Sequence, residues 1–347
     1  SLPSIFVKSK GFKSVRIPCN WVCGHISDAS ACTIDAAWMA RVKEIVDYCI
    51  SDGLYVVLND HYDGGWVEKS FGDISDAAIT KNSATMKLIW TQIANEFKDY
   101  DEHLLFAGLN EPDVSNQKQT DALLKYEQAF VDAVRATGGN NETRTLIVQG
   151  PSTDIDKTLN YFSAMPTDAV ANRLMVEVHY YSPSQFTGVW ENGKPYYFWG
   201  EANHVPSGSY KNYNSTWGEE PYLSAQFNKM KAKFADKGIP VLLGEFGANW
   251  RSIGNTIAQK KHDASIKLFN KLVVQNAINC GMVPFVWDIN VANQNGTKGI
   301  MTVINRGNCS VFCTPALEGI TEGASSGRWT IATGIDVGKR EATGVTN

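Results

Sequence analysis

Short apolar runs alternate along this chain with longer amphipathic segments, and the apolar runs end on polar clusters. A strand buried on both faces reads as continuous apolar sequence, and it needs a helix to cross back to its next parallel neighbour. The alternation therefore predicts repeated βα units around a parallel sheet. Strands are expected to end near Arg16, Asp60, Glu111, Gly150, Tyr181, Glu245 and Asp288. Helices are expected over Asp35 to Ser51, Asn82 to Asp99, Thr120 to Ala136, Tyr222 to Lys237 and Asn255 to Cys280, several opening on Asp, Asn or Thr as N-caps do. No Gly-rich phosphate loop of GxGxxG or GxxxxGK type occurs. That favours a closed (β/α)8 TIM barrel of the α/β class over an open doubly wound sheet.

Seven strands are one short of that barrel and would leave two unpaired edges. The remaining segment of strand character is 329–337, after a helix-like stretch from Thr314 to Gly323. A single domain over 1–347 is expected, with 329–347 supplying the eighth strand. The stretch from Ser182 to Glu220, rich in Gly, Asn, Tyr and Trp, reads as a long βα loop of the kind that builds a binding cleft.

Charge and composition narrow the partners. A formal charge of -4 without a long Lys/Arg cluster argues against nucleic acid or an anionic membrane. No run reaches the roughly 18–20 apolar residues of a membrane span, and Ser1-Leu2-Pro3-Ser4 is unlike a signal peptide. Ten Trp and thirteen Tyr suit a flat, neutral, hydroxyl-rich ligand such as sugar. Seven cysteines are too few for a disulfide framework, and the odd count leaves a free thiol or an intermolecular bridge. Cys309 and Cys313 read as a local disulfide or as buried thiols, and no zinc spacing accompanies them.

Two of the strand ends carry glutamate. The run Leu104 to Leu109 leads into Asn110-Glu111-Pro112, and the run Ile239 to Gly244 leads into Glu245. A carboxyl at such a tip faces a cleft with apolar walls, where its pKa is expected to rise. Two such carboxyls are the parts needed for acid/base hydrolysis of a glycosidic bond. His61 with Asp60 and Asp63 could suggest a metal, but no second His or Cys falls at ligand spacing, and no metal or cofactor is expected.

Six segments, taken in barrel order, carry a resemblance: Val15-Arg16-Ile17-Pro18-Cys19-Asn20-Trp21, Asn59 to Trp66, Gly108 to Pro112, Val178-His179-Tyr180-Tyr181, Leu243 to Gly247 and Phe285 to Asp288. Together they resemble the family-5 glycoside hydrolases over nearly the whole chain. The resemblance implies retaining hydrolysis of a β-linked polysaccharide, with Glu111 as acid/base and Glu245 as nucleophile. It implies that Asn110 binds the sugar 2-hydroxyl, that Arg16 and Tyr181 orient and hold the nucleophile, and that His179 tunes Glu111. The expected activity is an endo-β-1,4-glucanase on a β-glucan. A β-mannanase, a xyloglucan or mixed-linkage glucanase, and a binding protein without turnover stand as alternatives. A secreted monomer is expected, since a polymer cannot enter a cell.

Among the tryptophans, Trp38 and Trp90 lie in helical patterns and read as core. Trp21, Trp66 and Trp287, with His61, follow strand ends and are expected to touch sugar, while Trp190, Trp199, Trp217 and Trp250 sit in loops. One departure stands out. The family begins with a strand of Gly-x-Asn-x-Gly-Asn type, and this chain starts after that point, whereas Gly334 to Gly344 resembles a diverged copy with Asp336 in place of Asn. That is the pattern a circular permutation would leave, physically cheap where barrel termini lie close together, and a truncated gene with an unrelated tail stands as the alternative.

Overall fold

A computed structural model describes residues 1–188, 193–293 and 296–329. Seven parallel strands form one sheet in chain order: β1 (Ser14–Ile17), β2 (Tyr55–Asn59), β3 (Leu104–Ala107), β4 (Leu146–Gln149), β5 (Leu174–Tyr180), β6 (Val241–Phe246) and β7 (Met282–Val286). Crossing between or flanking them are α1 (Leu2–Ser9), α2 (Ala36–Ser51), α3 (Asp76–Glu96), α4 (Gln117–Ala136), α5 (Ile155–Tyr161), α6 (Ser184–Thr187), α7 (Glu220–Lys233), α8 (Thr256–Asn279) and α9 (Thr314–Ser326). Two short hairpins, Ile26–Asp28 with Thr33–Ile34 and Ile304–Asn305 with Ser310–Val311, decorate the loops.

The helix starts follow side-chain caps. Asp35, Asn116 and Asn255 accept from the amides of Trp38, Gln119 and Ala258 at 2.9, 3.0 and 3.0 Å, satisfying N–H groups that a helix leaves open. Helix α3 begins at Asp76 behind the cap Ser75 rather than at Asn82. Its first turn is polar and small, so apolar periodicity becomes visible only later. Strand β3 ends at Ala107, the Gly108 N–H makes a last bond to Ile147 O at 3.0 Å, and residues 109–111 leave the ladder to form the turn that carries Asn110 and Glu111.

Alternation within each strand sorts two layers. Residues such as Val56, Leu58, Phe106, Val148, Val176, Val178 and Leu243 point out and join the large core under the helices. Val57, Ala107, Ile147, Met175, Leu242 and Phe285 point in and fill the lower barrel. Two residues further up the same inward rows stand Asn59, Gln149, Glu177 and Gly244, so the barrel changes from apolar to polar towards its C-terminal end. Trp90, read as core, is fully buried between Phe106 and Phe130.

Among the described residues, β1 and β7 each keep one unpaired edge. The expected eighth strand lies outside the described residues except for Trp329, as does Gly334 to Gly344. All seven cysteines are free thiols, which removes the alternative of a Cys309–Cys313 disulfide.

One buried acid lies beneath the sheet. Glu127 of α4 is 1% exposed and accepts the Gln149 N–H at 2.8 Å. Burial drives its pKa well above the ordinary carboxylate range. The folded state then holds a proton that the unfolded chain releases, and stability falls as pH rises through that interval. Glu127→Gln keeps the acceptor and cannot ionise. The variant's melting temperature relative to the parent should therefore rise between about pH 5 and about pH 9, and a flat difference would show that the acid is ionised in the fold.

Candidate active site

The polar end of the barrel is organised around Arg16. Its Nη1 donates to Glu245 Oε1 at 2.8 Å and its Nη2 to Asn110 Oδ1 at 2.7 Å, with Glu177 Oε1 at 3.1 Å. The guanidinium is only 4% exposed. A cation can be held there because two carboxylates share its charge.

Glu177 is the hub beneath it. Its Oε2 accepts from Gln149 Nε2 at 2.7 Å and its Oε1 from His179 Nε2 at 2.9 Å. Gln149 in turn accepts the Leu109 N–H at 2.9 Å, tying the Asn110–Glu111 turn to the barrel floor. Glu68 fixes the same turn from the other side, its Oε1 accepting the amides of Asn110 and Glu111 at 2.8 and 2.7 Å. Burial raises Glu68 to about 7, against the two hydrogen bonds that favour its charge.

Gly244 makes room for Glu177. A Cβ at that position would meet Glu177 Oε1 at 2.0 Å. By simple alternation Glu245, the next residue, would point outward. The ladders on both sides of β6 slip between Val178 and His179 and between Leu243 and Phe246. Glu245 turns into the site beside its register partner His179, and Phe246 joins the outer core. Such a local irregularity re-aims a side chain without breaking the sheet.

Glu245 is 5% exposed and accepts from Tyr181 Oη at 2.8 Å on Oε2 as well as from Arg16 on Oε1. Burial first, and then the neighbouring Glu245, keep the Tyr181 phenol protonated and thus a donor. Glu111 stands across the cleft with 46% of its side chain exposed. An oxygen of Glu111, an oxygen of Glu245 and a ring nitrogen of His179 all lie within 4.8 Å of one another. His179 Nδ1 is 3.2 Å from Glu111 Oε2 and 3.7 Å from Glu245 Oε2, without an aligned hydrogen bond to either. Burial opposes a charge on His179, but Glu245, Glu111 and Glu177 together raise it to about 10.

That imidazolium corrects one expectation. Burial does act to raise Glu111, yet His179 and Arg16 outweigh it and hold Glu111 below the usual carboxylate range. The cleft around Glu111 is polar and charged, where the sequence suggested apolar walls. The Glu111, His179 and Glu245 set is the one group among the described residues able to offer three metal ligands. Arg16 already pairs with Glu245 Oε1 at 2.8 Å, and the charge on His179 leaves its ring without a free lone pair for a metal.

The remaining expected residues divide. His61 lines the cleft, a space of about 770 Å³ that also runs past Tyr62, Trp217 and Tyr222. Burial and the neighbouring Arg16 lower His61 to about 4, so it is neutral. Its Nδ1 faces Asn59 Nδ2 at 3.2 Å, which leaves Nε2–H as a donor. Trp287 stacks on His61 at 5.6 Å. Trp21 does not reach the cleft. It is fully buried with its indole N–H on Asn59 O at 3.0 Å, because residues 18–21 fold under the β2 end. Trp66 is absent from the cleft lining and donates to Asp60 at 3.1 Å. Trp38 is only half buried and stacks on His25. Trp199 is fully buried, Trp250 donates to Asp263, and Trp190 lies outside the described residues.

Sequence reasoning missed Glu177, Gln149, Glu68, Tyr62 and Tyr222. Glu177 was within reach, since it precedes the expected His179 by two positions in one strand and must share its face. Glu68 carries no such signal, because it comes from an irregular loop.

If Glu177 has no room to move, Gly244→Ala should cost about 1–3 kcal/mol of stability, the range for overpacking. Chemical denaturation would measure it, and a variant as stable as the parent would mean that the acid shifts freely.

Comparison with known proteins gives the chain a family. The family model described as Cellulase (glycosyl hydrolase family 5) matches residues 5–293. The chain is 35% identical to Endoglucanase A of Paenibacillus barcinonensis over 338 residues, covering 91% of this chain and 79% of that protein. It is 34% identical to the xyloglucan-specific endo-beta-1,4-glucanase BoGH5A of Bacteroides ovatus over 81% of this chain, and spans 55% of that longer protein. Among solved structures, a xyloglucan-specific beta-1,4-glucanase from a ruminal metagenomic library, in complex with XXLG, superposes with a TM-score of 0.89 at 47% identity, over 96% of this chain and 88% of its own.

Proposed function

The chain belongs to glycosyl hydrolase family 5, and from that premise we propose a retaining endo-β-1,4-glucanase in which Glu245 is the nucleophile and Glu111 the acid/base. The observation that carries the retaining mechanism is the closeness of the two glutamates, one oxygen of each within 4.8 Å of the other. That is near the roughly 5–5.5 Å carboxyl separation of retaining enzymes and short of the roughly 6.5–9.5 Å by which inverting enzymes make room for a water.

In the first step a Glu245 oxygen bonds the anomeric carbon as the glycosidic C–O bond breaks, and Glu111 passes its proton to the departing oxygen. In the second, water gives a proton back to Glu111, its oxygen bonds the anomeric carbon, and the Glu245 ester bond breaks. Arg16 and Tyr181 hold the plane of the Glu245 carboxylate. Asn110, fixed by Arg16, binds the 2-hydroxyl. His61 donates to a sugar hydroxyl, with Trp287 behind it. Trp217 and Tyr62, 41% and 49% exposed, offer apolar faces to pyranose rings.

Xyloglucan is the reading favoured for the polymer, because the 47%-identical structure is that of a xyloglucan-specific enzyme solved with XXLG. The reading extends to an extracellular enzyme, since such a polymer does not cross a membrane. Initial rates of reducing-sugar release on xyloglucan, carboxymethylcellulose, mixed-linkage glucan and mannan should rank xyloglucan first. Glu245→Ala should abolish turnover, and azide should restore α-glycosyl azide formation from an aryl glycoside. Glu111→Ala should yield the β-glycosyl azide. The opposite pairing of anomers would exchange the two roles.

The free enzyme's essential proton is held by the Glu111–His179 pair, with the imidazole, raised to about 10, as its resting place. Loss of that proton sets the alkaline limb of kcat/KM. In His179→Asn, Glu111 titrates alone and releases its proton earlier. The limb should move to lower pH. A limb that moves up would show instead that Glu111 titrates against a fixed imidazolium.

A further inference from the structure

Ser152 and Thr153, adjacent and neither a glycine, stand at φ 54° and 47° in the turn after β4. A β-branched residue is an outlier there, and such strain persists only where the surroundings hold it. What holds this turn is the segment that carries Glu111. The Ser152 N–H donates to Pro112 O at 2.8 Å, while its Oγ donates to Val114 O at 2.9 Å and accepts the Val114 N–H at 3.2 Å. Lys157 of α5 donates to the same Oγ at 3.0 Å, so that hydroxyl has its hydrogen and both lone pairs engaged.

The strained turn delivers one further donor to the site. Thr153 is 1% exposed, and its Oγ1 lies 2.7 Å from Ser152 O and 3.4 Å from Glu111 Oε2. A hydroxyl has one hydrogen to give, and an ionised carboxylate is a stronger acceptor than a carbonyl. His179 Nδ1 approaches the same Glu111 oxygen at 3.2 Å. Burial raises Glu111, and Thr153 joins His179 and Arg16 in outweighing it. Long contacts of this kind tighten in the reacting complex.

The two donors fare differently along the reaction. His179 keeps its charge against burial chiefly because Glu245 is ionised beside it. Once Glu245 is an ester of the sugar, the imidazolium loses that support. The Thr153 hydroxyl does not titrate, and it stays a donor throughout.

With Glu111 as the acid/base proposed above, we infer that Thr153 is a positioning residue for the second displacement, its hydroxyl holding the Glu111 carboxylate in place to take a proton from water. In that step the water oxygen bonds the anomeric carbon, its proton passes to Glu111 and the Glu245 ester bond breaks. The first displacement on a substrate with a good leaving group needs no proton and does not call on Thr153.

An activated 2-fluoro cellobioside with a dinitrophenyl leaving group separates the two steps. It should load the parent, Thr153→Val and Thr153→Ser at similar rates, and mass spectrometry of the intact chain counts the loaded fraction. Loading also counts folded protein. After excess reagent is removed, the return of activity reports the second displacement alone. Thr153→Val, isosteric but without the donor, should reactivate about tenfold more slowly than the parent, and Thr153→Ser at close to the parent rate. In a Glu111→Ala background, Thr153→Val should slow reactivation no further. Equal reactivation of parent and Thr153→Val overturns the inference. So does an equal loss in Thr153→Ser, which assigns the effect to the turn, or slower loading of Thr153→Val, which places it in the first step. A parent that never loads overturns the retaining reading on which the inference rests.

Discussion

A single guanidinium, that of Arg16, is buried where the barrel turns from apolar to polar, and the surrounding structure is built to make that burial tolerable. An unpaired cation there would cost several kcal/mol, the scale of the penalty for ions taken out of water. Glu177 and Glu245 neutralise it, and His179 adds a second positive charge between Glu245 and Glu111. The resulting lattice holds two cations and three carboxylates. Each member's protonation is set by the others, so the two glutamates occupy unlike environments although both sit at strand ends. Glu245 is clamped by two donors, whereas Glu111 is half open to the cleft and meets the imidazolium.

That lattice dictates backbone features with no other purpose in a barrel. Gly244 lacks a side chain because the Glu177 carboxyl occupies its space. The slip of β6 against both neighbours brings Glu245 inward one residue after Gly244. Gln149 and Glu68 spend their acceptors on the amides of residues 109–111, a turn outside the sheet ladder that would otherwise be free to wander. Glu111 and Glu245 are held in place by buried polar groups satisfied on several sides, which makes this end of the barrel rigid.

The cleft above is less constrained. Its aromatic faces are Tyr62, in the loop after β2, and Trp217 and Tyr222, both in the connection after β5, with Tyr222 in the first turn of α7. Tyr62 sits at φ 57°, a strained setting for a tyrosine, beside Asp63, whose carboxylate binds the amides of Val22 and Cys23. Loops with such local anchors can change their aromatic display without disturbing the lattice below. Relatives sharing this barrel accordingly bear names that differ in the glucan they act on.

The amino-acid sequence alone determined the succession of βα units, the parallel sheet and the two strand-end glutamates that the fold brings together, because apolar runs, caps and strand-end motifs are local and survive in one dimension. It also carried Arg16, Asn110, His179 and Tyr181 to within reach of those glutamates. Only the tertiary structure decided that Trp21 is core, that Glu177 and Gln149 link the floor to the turn, and that Glu111 is held down rather than raised. Each of these depends on groups at least 28 positions apart in the chain. Burial and charge at a point are sums over neighbours in space, and the spacing of residues along a chain does not contain that sum.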